Sequence, residues 1–298
     1  RVGVIGAGTM GGGIAMNFAN AGIPVTIIEQ SQERLDKGIG IIRKNYENTA
    51  AKGRITLDDV EKRMQFIKGN ISIDALTEED LIIEAVFENM DLKKEIFSKL
   101  DLIAKDNAIL ATNTSALNIN EIAETTKRPE SVIGLHFFSP ANVMKLLEIV
   151  RGEKTDKQVI ATSMGLAKII GKTAALVGVC PGFVGNRILA QRQREANKLI
   201  LEGALPWEID DALFDFGFPM GPFAMSDLAG LDIGWDKETS RGETIREILC
   251  ENERFGQKSG KGFYIYDDNR NKLPDSDVEK IIQEFADSKQ IKRREIQK

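Results

Sequence analysis

The stretch Val2-Gly3-Val4-Ile5-Gly6-Ala7-Gly8-Thr9-Met10-Gly11 decides the fold of this chain. An apolar run stops at a glycine-rich turn, after which Ile14, Phe18 and Ala21 recur at helical spacing, so the order is strand, tight turn, helix. Gly22 ends that helix, and Ile23–Ile28 reads as a second strand finishing at Glu29. A βαβ unit is therefore complete within about thirty residues. A Gly-x-Gly-x-x-Gly pattern is weak alone, but between a strand and a helix, and answered by an acid at the end of the next strand, it is the fingerprint of a dinucleotide site. Gly6 permits the turn, Gly8 lets backbone approach a pyrophosphate, and Gly11 lets the helix pack on the strand. The helix N-terminus offers free N–H groups to the anion. Glu29 suits a ribose diol and repels a 2′-phosphate, which favours NAD over NADP. Glycines that merely turn a corner are the other reading.

Outward from this unit, Ser31 to about Arg63 is charged and helical, with Leu35, Ile39, Ile42 and Tyr46 on one stripe, a longer excursion than a crossover needs. Strand character returns in Leu81–Val86, Ala108–Ala111, Val132–His136, Leu146–Val150 and Ala174–Val179, and alternation with helices predicts a mainly parallel sheet covered on both faces. After Pro181-Gly182 the strands stop. Phe183–Leu201 reads as one long helix, followed by helices over Trp207–Phe216, Ala224–Ala229 and Thr244–Asn252. The expected organisation is an α/β domain over 1–179 followed by a smaller all-helical domain over 180–298, with Pro181-Gly182 as a hinge or a rigid corner between them. The tail from Asp267 is polar, and its charge-rich end, Lys289–Lys298, reads as a solvated helix or linker.

Composition narrows the function. The 298 residues carry 40 Lys plus Arg against 45 Asp plus Glu, a net charge of −5 with both signs interspersed, so no basic face is available for nucleic acid. No apolar run approaches the roughly 18 residues of a membrane span, and the chain opens directly into a strand, so a soluble intracellular protein with no membrane partner is expected. Cys180 and Cys250 match no metal or disulfide spacing and read as packing residues; no metal site is expected.

One histidine is present, His136, at the end of a strand in an open α/β sheet, the edge where ligands collect. A lone histidine in an apolar run is commonly a packed core residue. Glu148, however, lies in the apolar stretch Leu146-Leu147-Glu148-Ile149-Val150, where an unpaired carboxylate is costly. Pairing the two answers both difficulties: the carboxylate fixes one imidazole nitrogen and leaves the other as a base near neutral pH. A buried structural pair is the alternative. Thr112-Asn113-Thr114-Ser115 follows a strand and places hydroxyls beside the nicotinamide end of a dinucleotide, or simply caps a helix. Asn186, in the first turn of the long helix, is a substrate-orienting amide in a cleft or a capping group.

Taken in order, Val4–Gly11, Thr112–Ser115, His136-Phe137-Phe138-Ser139-Pro140, Pro181-Gly182-Phe183-Val184-Gly185-Asn186-Arg187, Gly217-Phe218-Pro219-Met220-Gly221-Pro222-Phe223 and Gly256-Gln257-Lys258-Ser259-Gly260-Lys261-Gly262-Phe263-Tyr264 resemble the L-3-hydroxyacyl-CoA dehydrogenase family over nearly the whole chain. The resemblance implies a Rossmann-like domain followed by a helical one that often dimerises, and NAD-dependent oxidation of 3-hydroxyacyl-CoA to 3-ketoacyl-CoA in fatty-acid β-oxidation. It also implies His136 as general base, Glu148 as its partner, and Ser115 and Asn186 as the groups holding the substrate oxygen. Gly6, Gly8, Thr9, Met10, Gly11, Glu29, Glu88, Lys93, Ser139 and Lys258 surround NAD by the same resemblance. Ser31–Arg63 resembles the helical arm that contacts coenzyme A. The wording around Ala85–Met90, Asn113–Leu117 and Arg254–Lys258 is similar to the dehydrogenase part of multifunctional enzymes, peroxisomal or bacterial, so a homodimer or a portion of such a chain is expected, in a peroxisome or a bacterial cytoplasm. A non-catalytic NAD-binding structural or sensing protein, and a dehydrogenase of small hydroxy acids, are the competing functions. The first has no need of Ser115, His136, Glu148 and Asn186 together; the second has no need of the arm.

Overall fold

Val2–Ile5, the first apolar run, is β1 in the computed structural model, which describes residues 1–295. The chain divides into two compact units, Arg1–Arg187 and Ile188–Lys298. In the first unit β1 is followed by α1 (Thr9–Asn20), β2 (Val25–Ile28), α2 (Gln32–Ala51), α3 (Leu57–Met64), β3 (Ile67–Asn70) and β4 (Leu81–Glu84). Then come α4 (Met90–Ile103), β5 (Ile109–Thr112), α5 (Ile119–Ala123), β6 (Val132–Phe137), β7 (Leu146–Arg151), α6 (Lys157–Ile169) and β8 (Thr173–Gly178). The strands form one eight-stranded sheet in the order β3-β2-β1-β4-β5-β6-β7-β8. Every pairing is parallel except β6 with β7. Strand order reverses between β1 and β4, the switch point at which an open α/β sheet leaves a crevice beyond its carboxyl ends.

β1, β4 and β6 are buried along their whole length, which is why they read as continuous apolar runs. Val2 and Val4 join Ile14, Phe18 and Ile27 on one face of the sheet, whereas Ile5 joins Ile82, Phe97, Leu100 and Leu110 on the other. Burial of each large side chain is worth about 1.5–3 kcal/mol against exposure, so the two layers together hold the strand ends in place. The long excursion is two helices rather than one. Gly53, at φ +68°, ends the first, and Thr56 opens α3 with a reciprocal capping box to Asp59. Leu35, Ile42 and Tyr46 bury the α2 stripe, and the Tyr46 hydroxyl reaches Asn20 Oδ1 at 3.0 Å to dock α2 on α1. Strand β3 has no sequence signature because only Ile67 is buried; its ladder to β2 holds it.

α7 (Gly185–Glu202) starts in the first unit and continues into the second, which adds α8 (Pro206–Asp215), α9 (Pro222–Ala229), α10 (Ile245–Glu251), β9 (Ile265–Tyr266), β10 (Lys272–Leu273) and α11 (Ser276–Ser288). β9 and β10 pair as a short antiparallel ribbon beside the helices. Asp210 accepts from the Phe223 and Ala224 N–H groups and the Tyr264 hydroxyl, so α8, α9 and the segment entering β9 meet at one carboxylate. The polar stretch that precedes the charge-rich end contains a packed helix. α11 buries Val278, Ile282, Phe285 and Ala286 among Phe223, Leu249 and Tyr264, a stripe masked in the sequence by intervening charges. Asp275, which caps α11, forms a buried ion pair with Arg254. In the charge-rich end, Arg293 donates to the Gly203 and Ala204 carbonyls; residues 296–298 of that run lie outside the described residues. Cys250 packs in the core, and the Cys180 thiol donates to the Phe183 carbonyl at 3.2 Å. Among the described residues no helix is long and apolar enough to cross a membrane.

Candidate active site at the carboxyl edge of the sheet

The glycine turn is built for a close approach. Gly6 sits at φ +105° with its N–H on the Ile28 carbonyl at 2.8 Å, and a Cβ on Gly11 would lie 1.9 Å from the Gly6 carbonyl oxygen, so helix and turn are in contact. A Cβ on Gly8, in contrast, meets nothing within 4 Å. Gly8 caps α1 without a side chain, leaving the N–H groups of its first turn, at Thr9 and Met10, for an anion. Half-buried Glu29 reaches back from the end of β2, Oε2 accepting from Ala7 N at 3.0 Å and Oε1 from Gln30 N at 2.8 Å. An uncapped helix end, an open glycine and an acid at the next strand's tip fit a dinucleotide.

Three strands along the same edge, His136 and Glu148 are direct cross-strand partners on β6 and β7. His136 Nδ1 lies 2.8 Å from Glu148 Oε2, with the two residues only 5% and 1% exposed. Glu148 Oε1 accepts from Val184 N at 3.0 Å and Gly185 N at 2.7 Å, so both oxygens of this deeply buried carboxylate are engaged. Those bonds fasten the start of α7 to β7. The compact units divide after Arg187, so half-buried Asn186 lies on the first unit's side. Phe138 and Phe183 flank the imidazole, with ring centroids 4.4 and 5.7 Å away. With a carboxylate on Nδ1 the proton sits there, and Nε2 presents a lone pair that can accept a proton.

Between the crevice and this pair lies a network that the sequence only partly disclosed. Glu88 Oε1 accepts from the Thr114 hydroxyl (2.7 Å), Ser115 N (2.8 Å) and the Ser115 hydroxyl (3.1 Å). Burial pushes the Glu88 carboxyl up, but these donors and the Lys93 ammonium outweigh it and hold it below its ordinary value. Lys93 is 1% exposed, its Nζ lying 2.7 Å from Glu84 and 3.5 Å from Glu88. Glu84, at the tip of β4, also accepts from Val86 N and the Thr112 hydroxyl, each at 2.8 Å. The hydroxyls of Thr112 and Thr114 are therefore turned into the protein, onto Glu84 and Glu88, and not left facing the crevice. Glu84 is a member of this network that sequence reasoning misses, although its signal is the one that marks Glu148, a carboxylate inside an apolar run, Leu81-Ile82-Ile83-Glu84-Ala85-Val86. Asn113 Oδ1 accepts from Phe137 N at 2.9 Å and ties the β5 tip to β6 beside His136. Ser139 is exposed on the β6–β7 loop, and Lys258 lies in the second unit, paired with Asp232 at 2.6 Å.

Residues 1–180 match the description "3-hydroxyacyl-CoA dehydrogenase, NAD binding domain", and residues 182–266 match the C-terminal domain of the same family. The chain belongs to the 3-hydroxyacyl-CoA dehydrogenase family. Its glycine turn, Glu29 and the His136–Glu148 pair all lie within the family's NAD-binding domain. The chain is 43% identical to the peroxisomal bifunctional enzyme of Cavia porcellus over 99% of its own length and 44% of that protein. It is 37% identical to the fatty acid oxidation complex subunit alpha of Psychrobacter arcticus over 90% of its length and 39% of that protein. The solved dehydrogenase part of multifunctional enzyme 1 from C. elegans superposes with a TM-score of 0.75 at 34% identity, covering 100% of this chain and 68% of that one. The chain thus spans less than half the length of these curated relatives.

Proposed function

We propose that the chain oxidises L-3-hydroxyacyl-CoA to 3-ketoacyl-CoA with NAD, as a step of fatty-acid β-oxidation. The observation that carries this reading is the in-register His136–Glu148 pair, buried at the sheet edge that also holds the glycine crevice. NAD, when bound, supplies the hydride acceptor. Neutral His136 removes the 3-hydroxyl proton at Nε2 while Nδ1–H stays on Glu148, so the imidazolium forms beside a carboxylate already in place. Ser115, held by Glu88, and Asn186, on the turn fastened to Glu148, orient the substrate oxygen. Gly6, Gly8, Thr9, Met10, Gly11 and Glu29, with Glu88, Ser139 and Lys258, hold the dinucleotide; Lys93 acts through Glu88. Residues 1–179 form the NAD-binding part and 180–298 the helical part, α2 and α3 being the arm that meets coenzyme A.

Oxidation of NADH with acetoacetyl-CoA and with free acetoacetate, side by side, tests the substrate. A preference for the thioester of about two orders of magnitude or more in kcat/KM is expected, since binding energy from the remote carrier serves the reacting centre. Equal rates would support a small hydroxy acid instead.

Cofactor choice rests on Glu29. A carboxylate about 4 Å from a second negative charge costs roughly 4 kcal/mol near a protein surface, so NADH should bind up to about a thousandfold tighter than NADPH. Fluorescence titration of both cofactors reads the ratio, and Glu29→Gln should shrink it at least tenfold. The relatives' names, a peroxisomal bifunctional enzyme and a bacterial fatty acid oxidation complex subunit, support a place in a multifunctional chain; we propose a peroxisomal or bacterial cytoplasmic setting, and assembly as a homodimer or as part of such a chain.

A further inference from the structure

The loop 138–145, which leaves β6 two residues after His136 and returns as β7, is fastened at one main-chain atom from two directions. The Ala141 carbonyl accepts from Asn17 Nδ2 on α1 at 3.0 Å and from Lys172 Nζ, just before β8, at 2.6 Å. Lys172 Nζ also holds the Met144 carbonyl at 2.7 Å, and Asn17 Nδ2 holds Gly13 at 3.0 Å within its own helix. Ala141, Asn17 and Lys172 are 1%, 4% and 9% exposed. No carboxylate answers the Lys172 ammonium among the described residues; its two partners are carbonyl oxygens, although burying a cation without a counter-charge is expensive. Burial, with Lys145 nearby, accordingly lowers its affinity for the proton. The loop also rests directly on α1: a Cβ at Gly13 would lie 3.0 Å from the Ala141 Cβ and 3.2 Å from Asn142 N. A costly cation and a glycine at the contact are both spent on the distance between one loop and one helix.

We infer that Asn17 and Lys172 are positioning residues that register the loop following His136 on α1, the helix that the glycine turn opens. The inference rests on the proposed role of His136 as base. Hydride transfer needs the base and the cofactor crevice held in one geometry, and a displacement of about 1 Å can cost roughly a hundredfold in rate. His136 is fixed on its β5 side by Asn113 and on its β7 side by Glu148; the Ala141 carbonyl supplies the link to α1 itself.

The test uses the full chain with NADH and acetoacetyl-CoA. Lys172→Met keeps the length and loses the donors; kcat should fall ten- to a hundredfold, with the KM for acetoacetyl-CoA and the NADH dissociation constant within about threefold of the parent. Lys172→Arg should recover most of the loss. Asn17→Leu should lose less, and the double variant should be no worse than Lys172→Met, because both side chains act on one carbonyl. Amide exchange at Val143 and Met144, which donate to the Pro140 carbonyl, should quicken at least tenfold in Lys172→Met. Gly13→Ala, which removes no hydrogen bond, should lower kcat at least threefold while the melting temperature falls by no more than a few degrees, because the gain in helix propensity offsets part of the overpacking against Ala141. It also decides the matter should Lys172→Met not fold. Quickened exchange with kcat within twofold overturns the inference, as does a double variant whose loss is the product of the single losses. An active His136→Gln, measured alongside, would strike the base itself, whereas the exchange rates would still report on the loop independently.

Discussion

Glu148→Gln is expected to depress turnover by three to four orders of magnitude, nearly as far as His136→Gln, while NADH binding stays within about twofold. The glutamine amide fits the space, but its two ends are no longer alike. Val184 N and Gly185 N both donate to Oε1, so the amide oxygen must face them and the NH2 must face His136 Nδ1. An NH2 can only donate, which forces Nδ1 to accept and moves the ring proton to Nε2, the atom proposed to take the substrate's proton. The same tautomer reversal in a serine-protease triad costs about 10⁴ in kcat. Steady-state kinetics with acetoacetyl-CoA, with NADH fluorescence as the binding control, would measure it. Retention of a tenth of the parent turnover would remove the pair from the chemistry.

The second large effect concerns stability. Lys93→Met is expected to cost about 3–5 kcal/mol, because it leaves Glu84, fully buried, without its ammonium partner. For a domain of this size each kcal/mol is worth roughly 2–4 °C, so the melting transition should fall by about 6–20 °C. Adding Glu84→Gln should restore part of it, since removing both charges is far cheaper than stranding one. Ser115 should also loosen, because Glu88 loses the charge 3.5 Å from it. A single Lys93→Met change with an unaltered transition would mean that Glu84 finds other compensation.

The parts of the molecule legible in the sequence are those where burial and backbone geometry leave a local trace. β1, its glycine turn and α1 follow from a continuous apolar run and an uncapped glycine corner, and the His136–Glu148 pairing follows from a carboxylate that an apolar strand cannot tolerate alone. β3 leaves no trace because hydrogen bonds to β2 hold it while its residues beyond Ile67 stay in water. The buried stripe of α11 is hidden by the charges around it. Glu84 is hard to read because its partners, Lys93 and Thr112, come from separate elements, so only the assembled sheet reveals why an acid is tolerated there. Thr112 and Thr114 are legible as hydroxyls near the site but not in direction, since which acid a hydroxyl turns toward is a property of packing.

The single antiparallel junction of the sheet has a bearing on how this site can vary. Because β6 and β7 are successive strands of one hairpin, the distance between His136 and Glu148 is fixed by ladder hydrogen bonds a few residues from each, independent of helices and crossovers elsewhere. A base and its counter-charge brought together from separate βα units would drift with every change in the helices between them. Here the two travel as one short cassette: substitutions on the sheet's faces can remodel the substrate cleft around it while the proton-handling pair keeps its spacing. Only a slip of one residue in that ladder, which would turn Glu148 to the opposite face, breaks it.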